Sequence, residues 1–154
     1  MGAWKGTALV GKKVPKKSAK EQDFEFTMKE QLPPHLPDGE YQVEFLRHEE
    51  RTQWKAKKLL LYFKIVSFGK FHGVELFMSC QIPQKKWGSG SKFIRAWALA
   101  TGRLPDRFDR VSTKVFRGKI FNAEVRTVTK DSAQKDIPAA AQYSIISNLI
   151  SLEQ

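Results

Sequence analysis

The chain has 154 residues, of which 41% are hydrophobic, and carries a formal net charge of +11, so we expect one basic domain with a core of its own. The single cysteine, Cys80, excludes an intrachain disulfide and a cysteine-based zinc site. No apolar run approaches the roughly 20 residues of a membrane span, and we therefore predict a soluble, cytoplasmic protein without membrane contact.

Positive charge is segregated along the chain. Residues 1–20 carry six lysines and no acid, residues 51–74 carry six basic residues and no acid, and residues 84–119 carry ten basic residues against two acids. Such segregation indicates a polyanionic partner. Residues 1–22 show no sustained period and are rich in Gly, Lys and Ala, which predicts a flexible basic arm before a domain over 23–154. The arm is either an electrostatic tether for nucleic acid or a solvated tail.

Two strands are predicted before residue 51. Residues 24–28 alternate as a short edge strand would, and prolines then interrupt regular structure. Residues 40–45 alternate again and predict the first full strand, with Tyr41, Val43 and Phe45 on one parity. The sequence 49–52 is polar and predicts a connection.

Residues 51–82 contain two alternating segments joined by a glycine-containing turn at 68–73. Apolar residues hold every second position of the first segment: Leu59, Leu61, Phe63 and Ile65. They also hold every second position of the second segment: Val74, Leu76, Met78, Cys80 and Ile82. A period of two indicates strands with one buried face, and two such strands across a short loop predict a β-hairpin.

The opposite face of this hairpin mixes cations with aromatic rings. Its members are Trp54, Lys58, Tyr62, Lys64 and Phe77. Single-stranded nucleic acid would cover such rings, because bases stack on them at roughly 1 to 3 kcal/mol per base while cations follow the phosphates. The alternative is that the chain's own helix or tail, or a second subunit, covers the rings.

A basic, flexible loop over residues 84–90 follows the hairpin and presents an exposed tryptophan. Its candidate ligand contacts are Lys85, Lys86 and Trp87. Ser91 is predicted to cap a helix that Gly102 ends. Four residues are predicted to share one face of this helix, with Trp97 in the core: Phe93, Ile94, Trp97 and Ala98.

Two further strands are predicted after the helix. Residues 106–116 are irregular or form a single turn, and residues 119–129 then alternate, with Phe121, Ala123 and Val125 inside and Asn122, Glu124 and Arg126 outside. A long polar loop covers 130–142. The run 143–152 fits both a strand and a helix, and we predict a strand that ends in a helical turn.

The predicted order is three strands, a helix and two strands. This order predicts an all-β protein with one helix, a five-stranded OB-fold barrel with the helix between strands 3 and 4. The second and third strands of that fold, with the loops beside them, bind oligonucleotides. The rings of the central hairpin lie on that same predicted face.

The sequence resembles OB-fold single-stranded DNA-binding proteins of plasmids, phages and integrative conjugative elements over residues 38–150. The resembling segments are 38–41, 61–65, 68–73, Ser112, 116–119 and 143–146. The resemblance implies a cytoplasmic protein that coats or handles single strands in replication, repair or conjugative transfer. Housekeeping bacterial members end in an acidic tip with a terminal Asp and Phe that recruits partners. This sequence has Ser-Leu-Glu-Gln there, so neither that recruitment nor a tetramer is implied, and self-association stays open.

No enzyme is predicted. The three histidines, His35, His48 and His72, lack metal-ligand spacing, and Glu49 and Glu50 are adjacent in sequence where acid–base chemistry needs an opposed pair. Residues 88–91 lack the strand and helix of a nucleophile elbow, and there is no Walker-type phosphate loop. We therefore predict no catalytic residue, metal or cofactor. The rival prediction is a non-catalytic adaptor that binds another protein, or RNA, in a secretion or replication complex.

The predicted site combines stacking and phosphate-binding residues. The stacking candidates are Trp54, Tyr62, Phe77 and Trp87, and the phosphate-binding candidates are Lys58, Lys64, Lys85, Lys86 and Arg126. Glu40 and Glu44 are expected to mark the boundary of the basic face. No base-edge code is evident, so binding should tolerate most sequences, and no residue distinguishes DNA from RNA.

Overall fold

The computed structural model describes residues 34–53, 55–131 and 133–153. Three sequence predictions lie outside the described residues: the basic arm over 1–22, the edge strand over 24–28 and the placement of Trp54. The described elements are β1 (Gly39–Gln53), β2 (Ala56–Ile65), β3 (Glu75–Ile82), α1 (Lys92–Thr101), β4 (Ile120–Val128) and β5 (Tyr143–Glu153). Two short 3₁₀ turns, Thr113–Phe116 and Ala139–Ala141, precede β4 and β5.

The five strands form one antiparallel sheet in the order β3-β2-β1-β4-β5. The first four strands follow a Greek-key path, because β4 returns to lie beside β1 after two consecutive hairpins. The two end strands, β3 and β5, also contact each other, and α1 contacts both of them. The sheet is therefore barrel-like, and the prediction of a mainly β domain with five strands and one helix is confirmed for the part of the chain that the structure describes.

The inner face of the sheet forms the core, as the alternation predicts. Strand β2 buries all four expected residues, and β4 buries Phe121, Ala123 and Val125 completely. Within β3, Leu76, Met78 and Cys80 are buried, whereas the flanking Val74 and Ile82 are only half-buried. Phe116 of the first 3₁₀ turn packs its ring 5.5 Å from that of Phe45 and 6.0 Å from that of Phe121, measured between centroids. That turn therefore packs beside the part of β1 that has no pairing with β4.

Strand β1 is longer than predicted, and the polar connection expected over 49–52 is wrong. The strand pairs with β2 as far as Gln53, and its register shifts between Phe45 and Arg47. Such a shift is a β-bulge, in which one extra residue, here Leu46, has no partner on the facing strand. Beyond the bulge, charged residues alternate on the outside of the sheet, which is why the segment resembles a loop in sequence.

The helix α1 begins and ends where predicted. The Ser91 hydroxyl oxygen accepts a hydrogen bond from the Ile94 N–H at 3.3 Å, and Gly102 closes the helix in the left-handed conformation at φ 80°. Trp97 is buried and donates its ring N–H to the Ser112 carbonyl at 3.2 Å. Ala98 is half-buried, while Ala96 and Ala100 are buried in addition to the predicted residues. No helix within the described residues combines the length and hydropathy that crossing a membrane needs.

The strand predicted near the end of the chain is confirmed, but its predicted helical turn is wrong. β5 stays extended through Glu153, and its register against β4 shifts twice. These shifts break the alternation, so that Ser144 and Ile146 are buried while Leu149 and Leu152 are only partly buried. The buried Ser144 hydroxyl is satisfied by both backbone groups of Leu36, at 2.8 and 3.1 Å.

Candidate nucleic-acid interface

Strands β1, β2 and β3 present four rows of side chains on the outside of the sheet, and we call this surface the outer hairpin face. The strand registers define the rows as Glu44–Lys64–Glu75, Arg47–Tyr62–Phe77, Glu49–Leu60–Ser79 and Arg51–Lys58–Gln81. Side chains directly opposite each other stand roughly 4.5 to 5.5 Å apart at Cβ. The structure therefore brings together four of the nine predicted site residues: Lys58, Tyr62, Lys64 and Phe77.

The second row carries the aromatic pair. The rings of Tyr62 and Phe77 lie 6.0 Å apart between centroids with an interplanar angle of 39°. Both side chains are half-buried, while Leu61, Phe63 and Leu76 beside them point into the core. The predicted parity is thus confirmed: the two rings are neighbours on the outside of the barrel. Contact with a nucleotide stays a prediction.

Arg47 occupies the other side of Tyr62. Its guanidinium carbon lies 4.3 Å from the centre of the Tyr62 ring, within cation–π distance. The same guanidinium forms ion pairs with Glu75 at 3.2 Å and with Glu49 at 3.7 Å. Tyr62 is therefore flanked by Arg47 and Phe77, and Phe77 forms the outer end of the row because β3 is the last strand of the sheet. Arg47 therefore covers the face of Tyr62 that Phe77 does not contact.

Acidic side chains pair with three of the four cations in these rows. Glu49 pairs with Arg51 at 3.3 Å and lies 3.5 Å from the Tyr62 hydroxyl. Lys64, predicted to follow phosphates, instead lies 3.6 Å from Glu44 and stands between Glu44 and Glu75 in its row. Glu44 therefore does mark an acidic end of the face, as predicted, but that end includes Lys64.

Cations collect at the opposite end of the outer hairpin face. Lys58 pairs in register with Gln81, so the start of β2 lies beside the end of β3, and the loop after Pro83 begins there. Six lysines at this end have no carboxylate partner within the described residues: Lys55, Lys57, Lys58, Lys85, Lys86 and Lys92. The first row, by contrast, has one cation against two carboxylates. The face therefore has an acidic and a basic end, with the rings between them.

Trp87 is not the exposed ring that the sequence predicts. Its side chain is half-buried, and its ring stacks on Phe93 of α1 at a centroid distance of 4.5 Å. Its backbone N–H donates to the Phe108 carbonyl at 3.0 Å. Trp87 thus anchors the loop after β3, while its neighbours Lys85 and Lys86 are exposed as predicted.

Arg126 lies away from the other candidates. It is on β4, where the neighbouring Val125 pairs with Gly39 of β1, and Arg47 lies eight positions after Gly39 along β1. At about 3.3 Å per residue this separation is roughly 26 Å. Arg126 pairs with Glu124 at 2.9 Å, and this bond, with one from the Ser147 hydroxyl, holds the pKa of the Glu124 carboxyl below its ordinary value. The structure does not bring Arg126 to the outer hairpin face.

Groups that could support catalysis are dispersed. The His48 ring nitrogen Nδ1 lies 2.9 Å from the Thr113 hydroxyl, and the His35 Nε2 lies 3.2 Å from the Thr127 hydroxyl. Among the described residues, no three His, Cys, Asp or Glu side chains group together as a metal site would require. Burial raises the pKa of the Cys80 thiol to about 11, so it is protonated at neutral pH.

Three residues of the face were missed in the sequence. Leu60 is only 6% exposed although it points outward, and it fills the centre of the third row. It shares the even parity of Lys58 and Tyr62, and that signal could have revealed it. Arg47 and Arg51 were missed because the segment around them is polar. Without knowledge of the bulge, its sequence predicts a loop and not a strand.

The structure thus defines a mainly antiparallel β protein whose outer surface combines an aromatic pair with a basic end. Comparison of the chain with protein-family models, with curated proteins and with solved structures finds no match. The resemblance described above therefore depends on the residues quoted for it.

Proposed function

We propose that the protein binds single-stranded DNA on the outer hairpin face, largely without sequence preference. The observation that carries this proposal is the Tyr62–Phe77 pair, which stands outside the barrel two rows from a cluster of lysines that have no carboxylate partner among the described residues. Stacking on such rings contributes about 1 to 3 kcal/mol per base and tolerates any base. Lysines add a sequence-independent term by releasing counterions from the phosphates.

The fold supports the same function. A Greek-key sheet whose end strands meet, with a helix between β3 and β4, is compatible with the OB-fold, and we assign the domain to it. The face formed by the second and third strands of that fold is the one that binds oligonucleotides. In this protein, β2 and β3 carry both rings of the pair.

The ion pairs around Arg47 are compatible with binding. Arg47 and Glu75 have half-exposed side chains, at 50% and 52%, and exposed pairs of this kind contribute only about 0 to 1 kcal/mol. A phosphate can therefore replace Glu75 as the partner of Arg47 at low cost. That exchange would also uncover the second face of Tyr62 for a base.

The resemblance adds the cellular setting to this proposal. It suggests a cytoplasmic, non-catalytic protein that handles single strands during replication, repair or conjugative transfer of a mobile element. A second candidate, an adaptor that binds another protein, is favoured by one observation. Phe68, at the tip of the β2–β3 turn, is completely exposed, and a protein partner would bury it.

Fluorescence polarisation with labelled oligomers tests the proposal. We expect a dT oligomer to bind more tightly than a duplex of equal length, and its affinity should fall with salt at a slope near −0.7 per phosphate contacted. An rU oligomer reports the preference between DNA and RNA. Absence of a dT complex at low salt would refute the proposal, and salt-independent capture of a protein partner would favour the adaptor.

A further inference from the structure

An open groove of about 630 Å³ lies at the basic end of the outer hairpin face, between the end of β3 and the loop that leads into α1. Lys58 and Gln81 form its strand side, and Ser91 and Lys92 form its helix side. Ser79 links the groove to the row that contains the aromatic pair, since it is two residues from Phe77 on β3. The groove thus continues the line of side chains that begins at the rings.

The lining of the groove suits a phosphate group. Lys58 and Lys92 come from different elements, both are half-buried, and neither has a carboxylate partner within the described residues. Among the described residues, no acidic side chain lines the groove. The Ser91 oxygen accepts the capping bond from Ile94, so its own O–H remains available as a donor. The cations and neutral donors are therefore complementary to a phosphodiester.

The wall of the groove is held by contacts outside it. Trp87 stacks on Phe93 and its backbone binds that of Phe108, which fixes the loop at its middle. Gly88, which lines the groove, has open space where a Cβ would stand. The loop is therefore anchored without the groove being filled.

We infer that this groove is a phosphate subsite for the polynucleotide, where Lys58 and Lys92 bind the backbone beside the base that stacks on Phe77. The inference rests on the proposed function and extends it by specifying the path of the single-stranded DNA across the surface. The polynucleotide follows β3 from the rings to the groove and does not cross β1 towards Arg126. Trp87 is then a positioning residue, which holds the loop and does not stack on a base.

The test compares lysine variants in the same dT-oligomer salt titration. Lys58→Gln and Lys92→Gln should each reduce the magnitude of the salt slope by about 0.7 and weaken binding about fivefold at 0.1 M salt. Lys58→Arg should preserve the slope because it keeps the charge. A matched control should leave the slope unchanged: Lys135→Gln, which lies in the exposed loop between β4 and β5.

The outcomes separate the two proposals. If the wild-type protein binds no dT oligomer, the proposed function fails and the subsite fails with it. If it binds, and Phe77→Ala weakens binding while Lys58→Gln and Lys92→Gln leave the slope unchanged, the function stands and the groove is not a phosphate subsite. Thermal unfolding of each variant shows whether a loss of affinity reflects a loss of folded protein, and a slope change at an unchanged melting temperature supports the subsite.

Discussion

Replacing Glu75 by Gln should tighten binding of single-stranded DNA. Glu75 is the nearest carboxylate to Arg47, at 3.2 Å, and it also faces Lys64 in the strand register. The substitution removes one negative charge from the acidic end of the outer hairpin face and keeps the shape of the side chain. It removes the nearer of the two carboxylates that compete with a phosphate for Arg47, and Glu49 at 3.7 Å remains.

The magnitude follows from the ion pair that a phosphate must replace in the wild type. Its loss removes a cost of about 0 to 1 kcal/mol from binding, which corresponds to up to about fivefold tighter binding. The cost to folding should be small, because an ion pair this exposed contributes about 0 to 1 kcal/mol. Fluorescence polarisation at several salt concentrations measures the first quantity, and urea unfolding measures the second.

The control for Glu75→Gln is Asp136→Asn. Asp136 forms an ion pair with Lys130, at 2.7 Å, in the loop after β4, and its side chain is more exposed than that of Glu75. Asp136→Asn changes the net charge of the protein by the same amount as Glu75→Gln and leaves the surroundings of Arg47 unchanged. Equal tightening in both variants would show a general charge effect, and weaker binding by Glu75→Gln would refute the view that this carboxylate competes with a phosphate.

Three other changes test the assignment of faces. Phe77→Ala should weaken dT binding about 5- to 150-fold, because one stacked base is lost. The free energy of unfolding in urea should fall by at most about 1 kcal/mol, and a much larger fall would place the ring in the core. Phe63→Ala, one residue from Tyr62 but buried, should cost about 3 to 5 kcal/mol in the same assay. Arg126→Gln should leave the Kd for dT unchanged, and an increase in the Kd would extend the site to β4. Arg126 lowers the pKa of Glu124 in the folded state, so their pairing stabilises the protein at pH values above the ordinary pKa of a glutamate. This stabilisation is lost as the pH falls from that value through the lower pKa of the folded state. The variant should therefore lose less stability than the wild type on acidification, as followed by circular dichroism.

The sequence predicted those features that depend on local pattern. Alternation identified the buried face of β2 and β4, and the capping residues Ser91 and Gly102 identified both ends of α1. These features were accessible because each strand face and each helix cap is specified by residues only a few positions apart. The Tyr62–Phe77 neighbourhood followed from the same alternation across a short turn.

The features that the sequence did not predict depend on how separate segments of the chain pack against one another. The stacking of Trp87 on Phe93 depends on how the loop folds back on α1, and the remoteness of Arg126 depends on which strand β4 pairs with. The charges of β1 are matched by side chains on β2 and β3, so they resemble a solvated loop until the register is known. Pattern within one segment carries no information on such pairings.

The unpaired Leu46 determines which chemistry the hairpin shows to solvent. Without the bulge, Leu46 would pair with Tyr62 and Arg47 would stand opposite Leu61, with its guanidinium turned towards the barrel interior. An unbulged β1 of the same sequence would thus place an apolar side chain beside Tyr62, although every residue of β2 and β3 remained in place. The register that the bulge sets is therefore as much a part of the outer hairpin face as the aromatic rings themselves.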